Sequence, residues 1–276
     1  MSFQINYFCL FSRTAENLYI PQAARINYEM LDSSHLFSRR GLKMKEIAKD
    51  VHGRDERLST GIPGLDKLMQ GGYIKNDIYL VTGGTGTGKT LFCCQFLWDG
   101  LQKGEKGIFF SLEELPQDVI HDAENFGWDF QKYIDKKMVL IEYQDPFEMV
   151  DITTLVKQKI ENFGAKRVVI DSTSIFGMVF KDEHELRKRL YELIKTLKKT
   201  DTVVLMTAEI TEDSKALSRF GVEEFVADGV ILLNYLGIGG EFDRSMMIRK
   251  MRRTDHYKDI ISFEIGKSGI AIKKTD

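Results

Sequence analysis

From Arg57 onward the apolar positions of the chain follow two alternating rhythms. Short, nearly continuous apolar runs at residues 78–82, 107–112, 138–143, 167–171 and 202–208 predict strands buried on both faces, since such a run leaves no side for water. Between them, residues 89–102, 115–126, 151–163 and 183–199 carry apolar side chains at helical spacing. In the last of these, Leu186, Leu190, Leu193 and Leu197 form one stripe, the mark of a helix packed on one side. Strand and helix in alternation predict an α/β fold, a mostly parallel sheet covered by helices on both faces. The rhythm then changes. Gly229 to Tyr235, Met246 to Met251, Ile260 to Ile265 and Ile270 to Lys273 read as strands joined by turns, a C-terminal β-hairpin extension of the sheet.

Residues 1 to about 50 have no sustained periodicity and end in the charged stretch Arg39 to Glu46. The expected organisation is an N-terminal extension over residues 1–50 and one domain over residues 51–276. Whether the extension is an arm without fixed order, a partner-binding segment, or sequence upstream of the true start is left open, Met30 and Met44 being alternative initiators.

Composition narrows the classes without choosing a chemistry. A length of 276 residues with 43% hydrophobic positions suffices for one large α/β domain. A formal net charge of −2 gives no global argument for a nucleic-acid partner. The apolar stretch Tyr7 to Phe11 is too short for a signal-peptide core and lacks a basic residue before it, and no membrane span is expected, so the protein is expected in the cytoplasm. The three cysteines, Cys9, Cys93 and Cys94, suit packing better than a metal cluster or a disulfide framework. The histidines show no zinc-binding spacing.

The chemistry enters at Gly83-Gly84-Thr85-Gly86-Thr87-Gly88-Lys89-Thr90, which fits the phosphate-binding pattern G-x-x-x-x-G-K-[ST] and lies between a predicted strand and a predicted helix. A triphosphate held there is wrapped by backbone N–H groups, and the glycines remove the side chains that would block so close an approach. Lys89 would neutralise the β- and γ-phosphates, Thr90 would ligate magnesium, and the following helix N-terminus favours the anion. The alternative, a glycine-rich turn that binds nothing, leaves the Lys-Thr pair without a purpose.

Two acidic features extend the reading. The apolar strand Arg167-Val168-Val169-Ile170 ends in Asp171, which in a nucleotide-binding sheet emerges beside the phosphate loop and holds magnesium, directly or through water. Read alone, Asp171 and the serines behind it serve equally well as a turn cap. Two strands are expected between Lys89 and Asp171, the first of which ends in Ser111-Leu112-Glu113-Glu114, and a carboxylate there would orient or deprotonate the attacking water. The alternative is a pair of solvated acids at a helix start, where the dipole favours them.

Together with Arg57 to Leu68, Gly221 to Gly229 and the block Lys250-Met251-Arg252-Arg253-Thr254-Asp255-His256, these residues resemble the KaiC-like branch of the RecA superfamily of P-loop NTPases, over about residues 54–274. The resemblance implies a RecA-type core that assembles into a ring, usually hexameric, with ATP and magnesium held between neighbouring subunits. It makes Glu113 and Glu114 the catalytic carboxylates, sends Lys250 and Arg252 across to the γ-phosphate of the adjacent protomer, and gives Thr207-Ala208-Glu209 a sensor position. Lys250 and Arg252 also suit a solvated edge strand that discourages aggregation. In the clock members of this branch two such domains stand in tandem, whereas one phosphate-loop motif occurs here. Glu224 and Phe225 occupy the places where adjacent Ser and Thr accept phosphate in those proteins, so an autokinase is not expected.

Three functions fit. The first is an ATPase whose nucleotide state sets ring shape and the binding of a protein partner. The second is a recombinase-like DNA-binding motor, motivated by the RecA core and by Arg187, Lys188, Arg189, Lys195, Lys198 and Lys199; a solvated helix usually carries such charge, and no stacking aromatics accompany it. The third is a nucleotide-sensing scaffold with little turnover.

Overall fold

The computed structural model describes residues 56–145, 147, 151–210, 216–237, 239 and 243–273. The extension expected over residues 1–50, with Cys9, lies outside the described residues.

Among the described residues one sheet of nine strands forms the centre of the fold. A separate two-stranded hairpin, β1 (Arg57–Leu58) with β2 (Tyr73–Ile74), precedes it, enclosing the short helix α1 (Leu65–Leu68). The sheet is built from β3 (Ile78–Gly83), β4 (Gly107–Ser111), β5 (Val139–Tyr143), β6 (Arg167–Asp171), β7 (Val203–Glu209) and β8 (Gly229–Tyr235), all parallel, and from β9 (Arg244–Met251), β10 (Ile261–Gly266) and β11 (Gly269–Ile272), which are antiparallel. Its order is β11-β10-β9-β8-β3-β7-β6-β4-β5. The α/β architecture with a C-terminal antiparallel extension is therefore as the apolar rhythm predicts.

The strands split their side chains between two cores, as a pleat of period two requires. Tyr79 and Val81 of β3, Val203 and Leu205 of β7, Val169 of β6 and Phe109 of β4 join one core. Ile78 and Leu80, Val204 and Met206, Val168 and Ile170, and Ile108 and Phe110 join the other. The first core is covered by α2 (Lys89–Gln102), α3 (Pro116–Glu124) and α4 (Phe130–Asp135), together with the β10–β11 hairpin. The second is covered by α5 (Ile152–Phe163), α6 (Phe176–Val179), α7 (Glu183–Leu197) and, between β7 and β8, α8 (Glu223–Val226).

Local sequence explains where the long helices begin and end. The Asp151 carboxylate accepts the N–H of Thr154 and that of Asp182 accepts the N–H of Glu185, capping the otherwise orphaned donors of α5 and α7. Helix α5 stops at Gly164, whose φ of 72° is the left-handed C-terminal conformation that glycine adopts freely. The stripe Leu186, Leu190, Leu193 and Leu197 is buried, each side chain contributing roughly 1.5–3 kcal/mol by leaving water.

The structure departs from the sequence expectation mainly in short elements. The helix expected over residues 115–126 is present as α3 (Pro116–Glu124), while the short helix α4 (Phe130–Asp135), beyond Gly127 with its φ of 76°, falls where the apolar period predicts no element. The strand expected over 202–208 runs from Val203 to Glu209. β1, β2, α1, α6 and α8 are two to four residues long, too short to show a period. No helix among the described residues is long and apolar enough to cross a membrane.

Candidate functional site

Parallel strands end at one edge of the sheet, and β3, β4, β6 and β7 bring their C-terminal residues together there around a cavity of about 520 Å³. Its walls include Thr85, Gly86, Gly88, Lys89 and Thr90 from the phosphate loop, Glu113 and Glu114 after β4, Asp171 and Ser172 after β6, and Glu209 at the end of β7. The residues singled out in sequence from three separate segments thus line one space.

The loop is shaped by its glycines. A Cβ on Gly83 would stand 2.4 Å from the Leu233 carbonyl oxygen, so only glycine fits where the strand turns into the loop. Gly88 precedes α2 with φ 98°, a conformation that side chains rarely adopt. At Gly84 and Gly86 a Cβ would meet nothing within 4 Å; the bare backbone faces open space there, as a cradle for phosphate oxygens requires. Lys89 is only 9% exposed. Its Nζ donates to the carbonyl oxygens of Gly83 at 3.2 Å and Gly84 at 2.9 Å and lies 3.8 Å from the Glu209 carboxylate. Neutral carbonyls leave most of that cation's charge available to an incoming anion.

Asp171 is held by two hydroxyls. Thr90 Oγ1 donates to Oδ2 at 2.7 Å, and Thr207 Oγ1 donates to Oδ1. Burial pushes the Asp171 carboxyl above its ordinary range, opposed by these two hydrogen bonds and by the Lys89 charge. Among the described residues no group of three or more His, Cys, Asp or Glu could hold a metal alone. Thr90 and Asp171 nevertheless fit magnesium, which typically takes one or two protein oxygens and completes its shell with phosphate oxygens and water. The Asp171–Ser172 peptide is cis.

The two glutamates differ in their surroundings. Glu113 accepts a hydrogen bond from Ser172 Oγ, so its carboxylate is fixed beside Asp171. Glu114 has its backbone tied instead, Ser111 Oγ accepting its N–H at 3.0 Å and donating to its carbonyl oxygen at 2.5 Å. Partial burial, then the charge of Asp171, raises the Glu114 carboxyl above the usual glutamate value, which is the direction that makes a carboxylate a better base.

Sequence reasoning missed several residues that the fold brings here. Arg244, the first residue of β9, donates from Nη1 to the Gly86 carbonyl oxygen at 3.0 Å, its guanidinium stacked 3.8 Å from the Tyr235 ring centroid. Val119, Ala123, Phe126 and Ile265 form an apolar flank of the cavity. Each is distant in sequence from the motif and carries no local signature. Cys94 also lines the cavity, and burial raises the thiols of Cys93 and Cys94, which keeps them protonated.

Lys250 and Arg252 stand elsewhere. Lys250 is paired in register with Val230, which lies beside Leu80, and the Arg252 N–H donates to the Asp228 carbonyl oxygen at 2.8 Å next to the start of β3. The phosphate loop follows the other end of β3, about 17 Å of strand away. Within its own chain Lys250 Nζ is held by the carbonyl oxygens of Glu224, Phe225 and Ala227 at 2.9, 3.2 and 2.7 Å. Partial burial and the neighbouring Arg252 pull it below the ordinary lysine value. Arg252 pairs with the Asp228 carboxylate at 3.3 Å and donates to the Phe225 carbonyl oxygen at 3.2 Å.

Three of the six basic residues along and just after α7 are paired with carboxylates: Arg187 with Glu183, Arg189 with Glu185 and, at the C-cap, Lys198 with Asp228. Glu224 and Phe225 lie in α8, where Phe225 is 72% exposed.

Residues 58–276 match the family model of the KaiC ATPase. The circadian clock oscillator protein KaiC of Prochlorococcus marinus is 35% identical over 242 residues, 84% of this chain and 48% of that protein, so the chain spans less than half the length of this clock relative. A UPF0273 protein of Methanopyrus kandleri is 34% identical over 235 residues, covering 79% of this chain and 92% of its own. The crystal structure of a KaiC-like protein from Pyrococcus horikoshii superposes with a TM-score of 0.73 at 36% identity, covering 80% of this chain and all of that one. With that match over most of its length and a RecA-like sheet carrying the phosphate loop at its C-terminal edge, the chain belongs to the KaiC family of ATPases.

Proposed function

We propose that the protein binds ATP with magnesium in this cavity and hydrolyses it at sites shared between neighbouring copies in a ring, the nucleotide state acting as a switch for a protein partner in the cytoplasm. The observation that carries the reading is the convergence of Lys89, Thr90, Asp171, Glu113 and Glu114 on one cavity, together with the placement of Lys250 and Arg252 at the far end of the sheet. Cations that cannot approach the phosphate loop of their own chain have a use in the loop of a neighbour. On this reading residues 51–276 are the ATPase domain, residues 1–50 are an extension to it, and the ring is a hexamer.

In the proposed reaction the backbone of Gly84 to Gly88 and the Lys89 ammonium bind the phosphates, Lys89 leaving its two carbonyl partners to do so. Thr90 and Asp171 would hold magnesium, which supplies charge neutralisation on the transferring phosphoryl group. Glu114, assisted by Glu113 held on Ser172, orients the attacking water and accepts its proton. Lys250 and Arg252 of the adjacent copy stabilise charge on the γ-phosphoryl group as it leaves, the part played by an arginine finger. The apolar flank around Phe126 suits the base. Arg244 is placed to move from the Gly86 carbonyl to the phosphates of its own chain.

The test is steady-state phosphate release with ATP and magnesium, with particle mass followed by light scattering, with and without DNA. Hydrolysis by an assembly, unchanged by DNA, supports the proposal. Strong stimulation by DNA supports a recombinase-like motor instead, and binding without turnover supports a nucleotide-sensing scaffold.

A further inference from the structure

The segment Gly221 to Gly229 has no chemical role in the reaction above, yet it contains a buried acid with an unusual set of partners. Glu223, the first residue of α8, is 1% exposed. Its Oε2 accepts from the N–H of Val222 at 3.3 Å and lies 2.8 Å from the Ser218 hydroxyl, which also contacts the Glu224 carboxylate, and its Oε1 lies 3.4 Å from the Thr173 hydroxyl. Burial raises its pKa, and a carboxyl withdrawn from water is costly unless its hydrogen bonds are kept.

Thr173 places this acid in contact with the nucleotide site. Its hydroxyl has a second acceptor, the Thr207 carbonyl oxygen at 2.9 Å. One hydroxyl proton serves one strong hydrogen bond, so the two acceptors are alternatives. Thr207 is also the residue whose side chain donates to Asp171, the carboxylate shared with Thr90. A continuous chain of contacts therefore runs from Thr90 through Asp171, Thr207 and Thr173 to Glu223. The carbonyls of that same short helix and of Ala227 just beyond it grip Lys250 and Arg252.

We propose that Glu223 is a positioning residue that couples the phosphate site of its own chain to Lys250 and Arg252, so that occupancy of one site sets how these cations are presented to the next. The inference rests on the shared-site reading above. Drawing Asp171 and Thr207 toward a filled site lengthens the Thr173–Thr207 bond and favours donation to Glu223; α8 then shifts, with the carbonyls that hold the two cations. A donor with two discrete acceptors, biased by the site, is the two-state element that coupling requires.

The test uses mixed assemblies. Lys89→Ala chains, at an ATP concentration that saturates wild-type chains and leaves the weakened site largely empty, are mixed in equal amounts with wild-type chains, and phosphate release is read per wild-type subunit. Coupling at the low end of the usual range slows each wild-type site served by an empty neighbour about fivefold, so the mean rate falls to about 0.6 of its unmixed value. Glu114→Gln chains, which fill their site without turning over, should not slow wild-type neighbours; adding Thr173→Val or Glu223→Ala to them should produce the same fall, whereas Thr173→Ser, which keeps the hydroxyl, should not. No fall with Lys89→Ala chains, or no fall when Thr173→Val and Glu223→Ala are added to Glu114→Gln chains, overturns the coupling role of Glu223. Mixing wild-type with Arg252→Ala chains is the separate control for shared sites: no loss per wild-type subunit there, with mixed assemblies confirmed, removes the shared-site reading and the coupling together.

Discussion

The two ends of the central sheet handle charge in opposite ways. At the end carrying the phosphate loop, the Lys89 ammonium rests on neutral carbonyl oxygens, and its nearest carboxylate, Glu209, is 3.8 Å away. At the opposite end, Asp228 is 5% exposed and holds both Lys198 and Arg252, while Asp77 holds Arg253. Asp77 there is pushed up to about 6, by burial first and then by the Asp228 charge. One end keeps a cation ready for an anion, and the other neutralises its cations within the chain. On the proposed shared-site reading, the receiving edge is preset for phosphate, whereas Arg252 has to leave Asp228 before it can serve a neighbour.

The sharpest way to break this contrast is to remove the delivered charge. Arg252→Ala leaves the nucleotide cavity of its own chain intact, so ATP binding should persist while turnover in the assembly falls on the order of 10³-fold or more, the loss typical of an arginine finger. Nucleotide binding by calorimetry beside phosphate release separates the two; a parallel loss of binding would place Arg252 in the wrong role.

At the receiving end, Glu114→Gln should lower kcat on the order of 10²–10⁴-fold with little change in nucleotide affinity. Lys89→Ala should weaken ATP binding itself, on the order of 100-fold, as expected for losing charge-assisted hydrogen bonds worth about 3 kcal/mol. Unchanged affinity after Lys89→Ala would mean that the phosphates sit elsewhere.

Asp228→Asn sharpens the comparison from the other side. It removes the carboxylate that accepts from Lys198, Arg252 and the Ile78 N–H, and should cost about 1–3 kcal/mol of stability, seen as a lower Tm. The smallest effect is in pH dependence. Because the Glu114 carboxyl is raised above the ordinary glutamate value of 4.5, the base should be lost as pH falls through that higher value. The acid limb of the pH–rate profile should lie above 4.5 accordingly, and an acid limb at or below it would remove Glu114 as the base.

Much of the receiving end was legible in the sequence because its chemistry is contiguous or tied to a strand end. Gly83 to Thr90 is one unbroken motif, Asp171 closes an apolar run read as a strand, and Glu113 follows another. The parallel sheet was legible for the same reason, its buried strands and the Leu186 to Leu197 stripe having clear periods. What the sequence does not disclose is whatever depends on folding alone. The Ser172 hydroxyl on Glu113, the Arg244 guanidinium on the phosphate loop and the Thr173 hydroxyl between Thr207 and Glu223 join residues from separate segments. The short helix α4, which starts afresh at Phe130 after the left-handed Gly127, is likewise too brief for an apolar period to register.

The most direct test of shared sites is complementation between two inactive chains. Lys89→Ala chains retain Lys250 and Arg252, and Arg252→Ala chains retain the phosphate loop. Mixed and reassembled, with mixed particles confirmed by mass, they should recover measurable phosphate release at interfaces where an intact loop faces an intact Arg252. Mixed particles that release no phosphate would contradict the account, because each half of the proposed site would then be present without producing the reaction.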